Sequence, residues 1–287
     1  MRRNSKINLE DSIMLVTGAG QGIGLAITKE ALGQGAIVAA VDVDAMHEAA
    51  LRDVIAGRGS VYTADVRDAD RMTEIVSQIC ETHGGIDIVI ANAGIERVAP
   101  IADMDPEFFR TVLDVNIHGV YNTIQPALNS VIERGGHVLA ISSIAGLIPF
   151  PLATAYSTSK AAVDMMMRVV RMELTGTGAT AGAGYFGFVQ TQMADRIFSN
   201  PATAKAVDRL PSRLLGVKPL PTAEAVARLI LKGISKRRSR IYAPRMVAVT
   251  YVMRGSYAFL DGLLGKYTMR IEEIIREFRE NSSSHKK

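Results

Sequence analysis

Thr17-Gly18-Ala19-Gly20-Gln21-Gly22-Ile23-Gly24, the run TGAGQGIG, decides how the rest of the chain is read. It follows a short apolar stretch, Ile13–Val16, and opens an apolar-periodic segment from Ile23 to Gln34. In a strand–glycine turn–helix unit, backbone N–H groups at the helix N-terminus can cradle a diphosphate, and glycines let it approach without a Cβ in the way. The loop alone is equally compatible with a tight structural turn, and S-adenosylmethionine enzymes use similar loops. No GKS or GKT accompanies it, which argues against a phosphate-loop nucleotidase.

Working outward, strands are expected at Ile37–Val41 (ending at Asp42), Val61–Ala64, Ile86–Ala91 and His137–Ser142. Helices are expected at Ala45–Ala56, Ala69–Thr82, Pro106–Val115, Asn116–Glu133 and Ala155–Leu174. Runs such as IMLV, IVAAV and IDIVIA lack polar alternation, as strands buried on both faces do. The regular alternation predicts one α/β domain over residues 11–243, a doubly wound parallel sheet with helices on both faces. A sixth strand, about Thr180–Phe186, is poor in β-branched bulk and is the weakest of the set. Residues 188–221 read as a turn-rich, mobile covering segment. Thr222 then caps a helix, Ala223–Ile234, and Arg240–Ala243 closes the pattern. Residues 1–10 read as a polar N-terminal tail. Residues 244–287 form a C-terminal extension expected to pack on the domain or on a neighbouring subunit. Its last helix, Thr268–Phe278, puts Ile271, Ile274, Ile275 and Phe278 on one side.

The composition excludes several classes. Of 287 residues, 48% are hydrophobic and 22% charged, with a net charge of +4, so the chain is not a disordered one. Cys80 is the single cysteine; it cannot form a disulfide within the chain, and a reducing, cytoplasmic setting is expected. The basic start has no apolar core behind it, so no secretory signal is expected. Met246–Leu264, the nearest approach to a membrane span, is interrupted by Arg254 and Asp261. Basic patches at Arg2, Arg3 and Lys6 and at Lys232–Arg240 lack aromatic interleaving or a recognition helix, so they read as solvated charge and no nucleic-acid partner is expected. Contact of the last helix with a membrane surface is the alternative to its packing on protein.

Polar residues gather at the expected strand ends. Asp42 lies eighteen residues after Gly24, where a carboxylate can accept both ribose hydroxyls of NAD and would repel the extra phosphate of NADP. No Arg or Lys in Val41–Ala45 offsets that repulsion, although an ordinary surface aspartate fits the same pattern. Asp65 closes the third strand, where it could face an adenine ring, and Asn92 and Gly94 follow the fourth. Ser143 follows the fifth and could hold a substrate oxygen. Tyr156 and Lys160 lie one helical turn apart, and an ammonium there would lower the tyrosine's pKa toward the range of a general acid or base. Asn116, at a junction between helical stretches, could leave a carbonyl available to a water. Taken singly, each of these is more often structural.

Taken together, the chain resembles the short-chain dehydrogenase/reductase family in its NAD-preferring, classical form, over about residues 11–243. The resemblance rests on TGAGQGIG, NAG at Asn92–Gly94, Asn116, ISSIAG at Ile141–Gly146 and YSTSK at Tyr156–Lys160. The Ser-to-Tyr spacing of thirteen is met by Ser143 rather than Ser142. The resemblance implies a single-domain Rossmann-like fold and hydride transfer between C4 of a nicotinamide and a carbinol carbon. It implies that Tyr156 is the acid/base, Lys160 lowers its pKa and bonds the nicotinamide ribose, Ser143 orients the substrate oxygen, and Asn116 holds a relay water. NAD would lie against Thr17, Gly18, Gly20, Gln21, Gly22, Ile23 and Gly24, with Asp42 and Val43 at the adenosine ribose and Asp65 and Val66 at the adenine. Asn92, Ala93 and Gly94 would line the cleft, and Gly187, Val189 and Thr191 would hold the nicotinamide amide. No metal is expected. A homodimer or homotetramer is implied, built on the helices containing Asn116–Glu133 and Ala155–Leu174.

One departure stands out: Phe186-Gly187-Phe188-Val189-Gln190-Thr191 replaces the family's Pro-Gly-x-Val-x-Thr. It is the one feature favouring the alternative of a non-enzymatic nucleotide-sensing or scaffold protein. Candidate substrate walls are Ile144, Leu147, Ile148, Phe150, Leu152, Phe188 and Met193, with Ser143 and Tyr156 at the reacting end and Glu96 and Arg97 nearby. That mixture predicts an apolar secondary alcohol or ketone, steroid- or terpenoid-like.

Overall fold

The computed structural model describes residues 6–209, 220–257 and 271–284. Seven strands form one sheet: Ile13–Thr17 (β1), Ile37–Asp42 (β2), Gly59–Thr63 (β3), Ile88–Ala91 (β4), His137–Ile141 (β5), Thr180–Phe186 (β6) and Arg240–Ala243 (β7). Their order is β3-β2-β1-β4-β5-β6-β7, and every pairing is parallel. Val16 of β1 pairs with Ala40 of β2 on one side and Ile90 of β4 on the other. The winding reverses there, so a crevice opens above the carboxyl ends of β1 and β4, the usual ligand position in such sheets.

Alternating side chains of each strand feed two cores. Met14 and Val16 pack with Ile27 and Ala31 of α1 (Gly22–Gly33) and with Val226, Ile230 and Ile234 of α10 (Ala223–Ser235). Leu15 points the other way, into a core with Ile75 and Ile79 of α3 (Ala69–His83) and Val163 and Met167 of α7 (Thr154–Glu173). Each fully buried side chain of this size contributes roughly 1.5–3 kcal/mol. The remaining helices are α2 (Met46–Ile55), α4 (Pro106–Leu113), α5 (Gly119–Ile124), α6 (Leu128–Glu133), α8 (Gln192–Ser199), α9 (Pro201–Arg209), α11 (Val247–Tyr257) and α12 (Ile271–Ser284). The arrangement is a single-domain, Rossmann-like doubly wound sheet.

The structure corrects the sequence reading in four places. The helix expected over Asn116–Glu133 is broken: a π-helical turn spans Asp114–His118, and α5 and α6 are separated at Pro126, which has no N–H to continue the ladder. The covering segment is helical rather than turn-rich from Gln192 to Arg209, with the Thr191 hydroxyl accepting from Ala194 N–H at 3.4 Å to start α8; its residues 210–219 lie outside the described residues. The N-terminal tail docks from Ile7 onward: Ile7 N–H donates to Ser235 O at 2.9 Å, and Leu9 is buried; residues 1–5, with Arg2 and Arg3, lie outside the described residues. The last helix runs to Ser284, further than expected; Thr268–Arg270, placed in it by sequence, lie outside the described residues.

β6 forms over the expected residues, and its composition has a local cause. A Cβ on Gly182 would sit 2.4 Å from the Arg238 carbonyl oxygen, and one on Gly184 would sit 2.7 Å from the Phe186 ring. The described parts of the extension, residues 244–257 and 271–284, pack on their own domain. Arg254 of α11 donates to Asp164 of α7 at 2.8 Å, and the Tyr185 hydroxyl donates to the same carboxylate. Tyr251 packs edge-on against Tyr185, with ring centres 5.1 Å apart. Ile274 of α12, 1% exposed, packs with Ile275 and Phe278 against Leu152, Ala202 and Val98. Ile274, Ile275 and Phe278 are thus packed on protein; the side chain of Ile271, placed on the same face by sequence, lies outside the described residues. Among the described residues no helix is long and apolar enough to cross a membrane.

Candidate active site

The glycine loop starts where β1 ends. Gly18 has φ +62°, a conformation that disfavours other residues, and its Cβ would lie 2.9 Å from Ala93 Cα. Asn92 fastens the loop to β4: its Nδ2 donates to Thr17 O at 3.0 Å and Gly18 O at 3.1 Å. The Thr17 hydroxyl accepts from the N–H groups of Asn92 and Ala93 at 3.2 and 3.3 Å. At the start of α1, Gln21 makes no side-chain cap and the first turn holds no acid. The N–H groups of Gly22, Ile23 and Gly24 therefore have no side-chain competitor for an anion. This cradle fits a dinucleotide diphosphate.

Asp42 stands at the end of β2, 8% exposed. Its carboxylate accepts from Gly20 N–H at 2.7 Å, Asp44 N–H at 3.1 Å and the His47 ring at 3.1 Å. His47 was not singled out from the sequence: it lies five positions on, inside α2, and its ring covers Gly20, where a Cβ would fall 2.2 Å from it. Val43, beside Asp42, is 64% exposed. The Asp65 carboxylate does not stand open toward a ring; Arg67 takes it at 2.6 and 2.9 Å and, chiefly by that bond, holds it below the usual carboxylate range. Val66 is buried, and its carbonyl accepts from Asn122 at 2.9 Å.

Four polar side chains meet above β4 and β5. Asn116, wholly buried in the π turn, both accepts from Ile95 N–H and donates to Ile95 O at 2.9 Å, and donates to Ser159 at 3.0 Å. Ser159 in turn donates to Tyr156 O at 2.7 Å, one turn back along α7. Ser143 donates to Phe186 O at 3.3 Å and accepts from Ala145 N–H at 3.2 Å, and its hydroxyl is close enough to Tyr156 to favour the phenolate. Lys160 is 3% exposed; its Nζ donates to Ile141 O at 2.9 Å and lies 5.5 Å from the centre of the Tyr156 ring. π turns interrupt helices most often at functional positions.

The electrostatics differ from the expected tyrosine–lysine pair. Burial pushes the Tyr156 hydroxyl above its ordinary value, the Glu96 charge adds to that, and the Ser143 hydrogen bond only partly opposes it. Lys160 falls to about 8 because burial disfavours its charge, with Glu96 opposing. Glu96 rises to about 7, again by burial, with the Lys160 ammonium opposing. Lys160 thus does not bring the phenol down in this arrangement, because its ammonium is itself desolvated and turned to a backbone carbonyl.

Phe186 leaves the neighbouring turn intact. It ends β6 paired with Ala243, and Gly187 N–H donates to Ala243 O at 2.9 Å. The feature that favoured a scaffold protein is absorbed by ordinary sheet pairing. Val189 is buried, and Thr191 faces the loop, with its methyl 3.3 Å from a Cβ placed on Gly22. On the substrate side Phe150 and Phe188 meet edge to face at 6.3 Å, and Phe198 of α8, absent from the sequence reading, extends the wall at 5.1 Å from Phe188. Ile144, Leu147, Ile148 and Leu152 are buried in the packing of the loop, and Met193 is half-buried on α8. Arg97 turns away, stacked 4.8 Å above Phe108. α12 spans the rims of this cleft: Lys205 of α9 pairs with Glu273 and Glu277 at 3.1 and 3.0 Å, and Arg279 pairs with Asp103 at 2.7 Å.

Comparison with known proteins agrees with this geometry. The short chain dehydrogenase family pattern matches residues 12–202. The 3-oxoacyl-(acyl-carrier-protein) reductase FabG of Thermotoga maritima is 33% identical over 229 residues, 78% of this chain and 91% of its own. Oxidoreductase UcpA of Salmonella typhimurium is 36% identical over 200 residues, 67% of this chain and 76% of its own. A solved short chain dehydrogenase from Mycobacterium paratuberculosis, bound to NAD, aligns with a TM-score of 0.76 at 25% identity, over 84% of this chain and 100% of that one. With its glycine loop, its Ser143–Tyr156–Lys160 cluster and these relatives, the chain belongs to the short-chain dehydrogenase family and is an oxidoreductase of that family.

Proposed function

We propose that the protein is an NAD-dependent oxidoreductase interconverting an apolar secondary alcohol and its ketone. The observation that carries this reading is the convergence of Ser143, Tyr156, Lys160 and Asn116 beside a glycine loop whose helix N-terminus lacks a side-chain cap. Gly18–Gly24 would hold the diphosphate, Asp42 the adenosine ribose, Val66 and Ala93 the adenine side, and Val189 and Thr191 the nicotinamide amide. Bound there, the cofactor supplies the hydride acceptor or donor.

This chain's residues handle position and proton. Ser143 orients the substrate oxygen next to the Tyr156 hydroxyl. In the oxidising direction Tyr156 takes the hydroxyl proton, and the positive charge of an oxidised nicotinamide bound beside it would favour the phenolate needed for that transfer, which Lys160 by itself does not. Asn116 fixes the Ile95 backbone and, through Ser159, the Tyr156 carbonyl, so the acid/base sits on a braced helix. The aromatic wall of Phe150, Phe188 and Phe198 supports an apolar, steroid- or terpenoid-like substrate.

A homo-oligomer also belongs to this reading. α7 exposes Met165, Val169 and Met172 on successive turns, 53%, 46% and 75% exposed, and Tyr121 of α5 is 54% exposed. Such a stripe suits a second copy of the chain. The lone, half-buried Cys80 fits a reducing, cytoplasmic setting.

Assaying secondary alcohols with each cofactor tests the proposal. NADH formation is expected, with kcat/KM for NAD at least about tenfold above that for NADP, because Asp42 would face the 2′-phosphate with like charge. Equal use of the two cofactors would contradict the role given to Asp42.

A further inference from the structure

His47 stands against Asp42, where the NAD reading puts the adenosine ribose. It lies in the first turn of α2, and its Nδ1 is 3.1 Å from Asp42 Oδ1. A carboxylate oxygen offers only lone pairs, so the ring nitrogen facing it is the donor. The same side chain presses over the glycine loop: a Cβ on Gly20 would fall 2.2 Å from His47 Nδ1 and 2.5 Å from its Cγ. The Gly20 backbone is not left-handed, so its conformation does not call for glycine. The room taken by the imidazole does.

Asp42 cannot serve this ring and a ribose diol at once. A carboxylate has roughly four lone-pair sites, shared between its two oxygens. Oδ2 accepts from Gly20 N–H at 2.7 Å, and Oδ1 accepts from Asp44 N–H and from the His47 ring, both at 3.1 Å. That leaves room for one more donor, whereas an adenosine ribose brings its 2′- and 3′-hydroxyls. The N–H groups of Gly20 and Asp44 are backbone and stay in place. The imidazole is the donor that can turn away, because it is 27% exposed at the edge of the fold. Its Nε2 already lies 4.0 Å from Asp44 Oδ2, so a carboxylate remains within reach when Nδ1 releases Asp42. With the ring gone, the backbone N–H groups and the ribose hydroxyls together complete the set.

We propose that His47 is a determinant of cofactor affinity: its imidazole fills the adenosine-ribose subsite on Asp42, and the ribose diol takes its place there. The inference rests on the NAD reading above and deepens it, since it concerns the same subsite. A dinucleotide then binds only those molecules whose ring has turned out. The measured affinity is the intrinsic one reduced by that fraction, and removing the ring removes the reduction. A side chain that merely braced the loop would have the opposite sign, because its loss would loosen Asp42 and weaken binding.

The test titrates NADH, followed by nicotinamide fluorescence, into wild type, His47→Ala, Asp42→Ala and the double variant. ADP-ribose, which carries the adenosine half without the nicotinamide, is titrated in competition. Alanine suits the first turn of a helix, and the stoichiometry of each titration reads the folded fraction separately from Kd. His47→Ala is expected to bind NADH about fivefold tighter than wild type, the scale of one net hydrogen bond, and to show the same gain for ADP-ribose. In the Asp42→Ala background, where the ring has nothing to hold, His47→Ala should change the NADH affinity less than about twofold. An affinity that is unchanged or weaker in His47→Ala overturns the proposal. So does an equal gain in the Asp42→Ala background, which would place the effect away from the ribose subsite. Asp42→Ala should weaken NADH about tenfold or more in the His47→Ala background. No weakening there would overturn the ribose role of Asp42 itself, a separate failure.

Discussion

Tyr156, Lys160 and Glu96 each depart from ordinary titration chiefly through loss of water; the Glu96 charge adds to the rise of Tyr156, and Glu96 and Lys160 each partly oppose the other's shift. A fourth buried group, His137, works at the opposite end of the sheet. Its Nδ1 meets the Thr180 hydroxyl at 2.8 Å, its Nε2 has no partner, and burial, aided by the Arg237 charge, pulls it from 6.5 to about 3. The folded chain keeps His137 neutral where the unfolded chain would protonate it. Its contribution to stability is therefore complete above pH 6.5 and is lost as pH falls toward 3. Between pH 7.5 and 5, urea unfolding of wild type should lose about 2 kcal/mol more than that of His137→Gln; parallel losses would contradict the assignment. Residues at strand ends, such as Asp42, Ser143 and Asn92, were legible in the sequence because strand register and spacing place them. His47, Arg67 and Phe198 were not, since only the folding of α2, the β3 exit and α8 back over the cleft brings them there.

The central strands β1, β2, β4 and β5 were the most readable elements: buried on both faces, they carry unbroken apolar runs. β6 looked weak because its bulk is supplied by neighbours, the Arg238 backbone over Gly182 and the Phe186 ring over Gly184. Helix breaks were harder to place. A π turn around Asn116 leaves no compositional mark, and Pro126, over which one continuous helix was expected, is where α5 and α6 part. The extension beyond Pro244 could not be placed from its amphipathic pattern, which fits protein and lipid alike. The structure spends that pattern on α9, Leu152 and Val98, with ion pairs from Lys205 and Asp103 across the rims. Deleting residues 271–287 should therefore raise the KM of the alcohol by about tenfold, as loss of a covering element does, with a much smaller change in NAD affinity. Equal effects on both, or none on the alcohol, would show that α12 does not shape the cleft.

At the scale of the whole molecule, the sheet separates two tasks. Its carboxyl ends carry the glycine loop, Asp42, Asn92 and the Ser143–Tyr156–Lys160 cluster; its other end holds His137 buried and neutral. The two layers of helices supply the burial that keeps both ends in register. α7 links the tasks directly: it bears Tyr156 and Lys160, and one turn further its Asp164 is gripped by Arg254 of the extension and by Tyr185 of β6. The acid/base is thus mounted on a helix fixed from two other elements, as positioning to within an ångström requires. The central claim is that Tyr156 moves the proton in an NAD-linked oxidation. Its most direct measurement is kcat/KM for the best secondary alcohol with NAD, in wild type and in Tyr156→Phe of matched far-UV circular dichroism. A fall of at least about a hundredfold is predicted; equal turnover by the two proteins would contradict it.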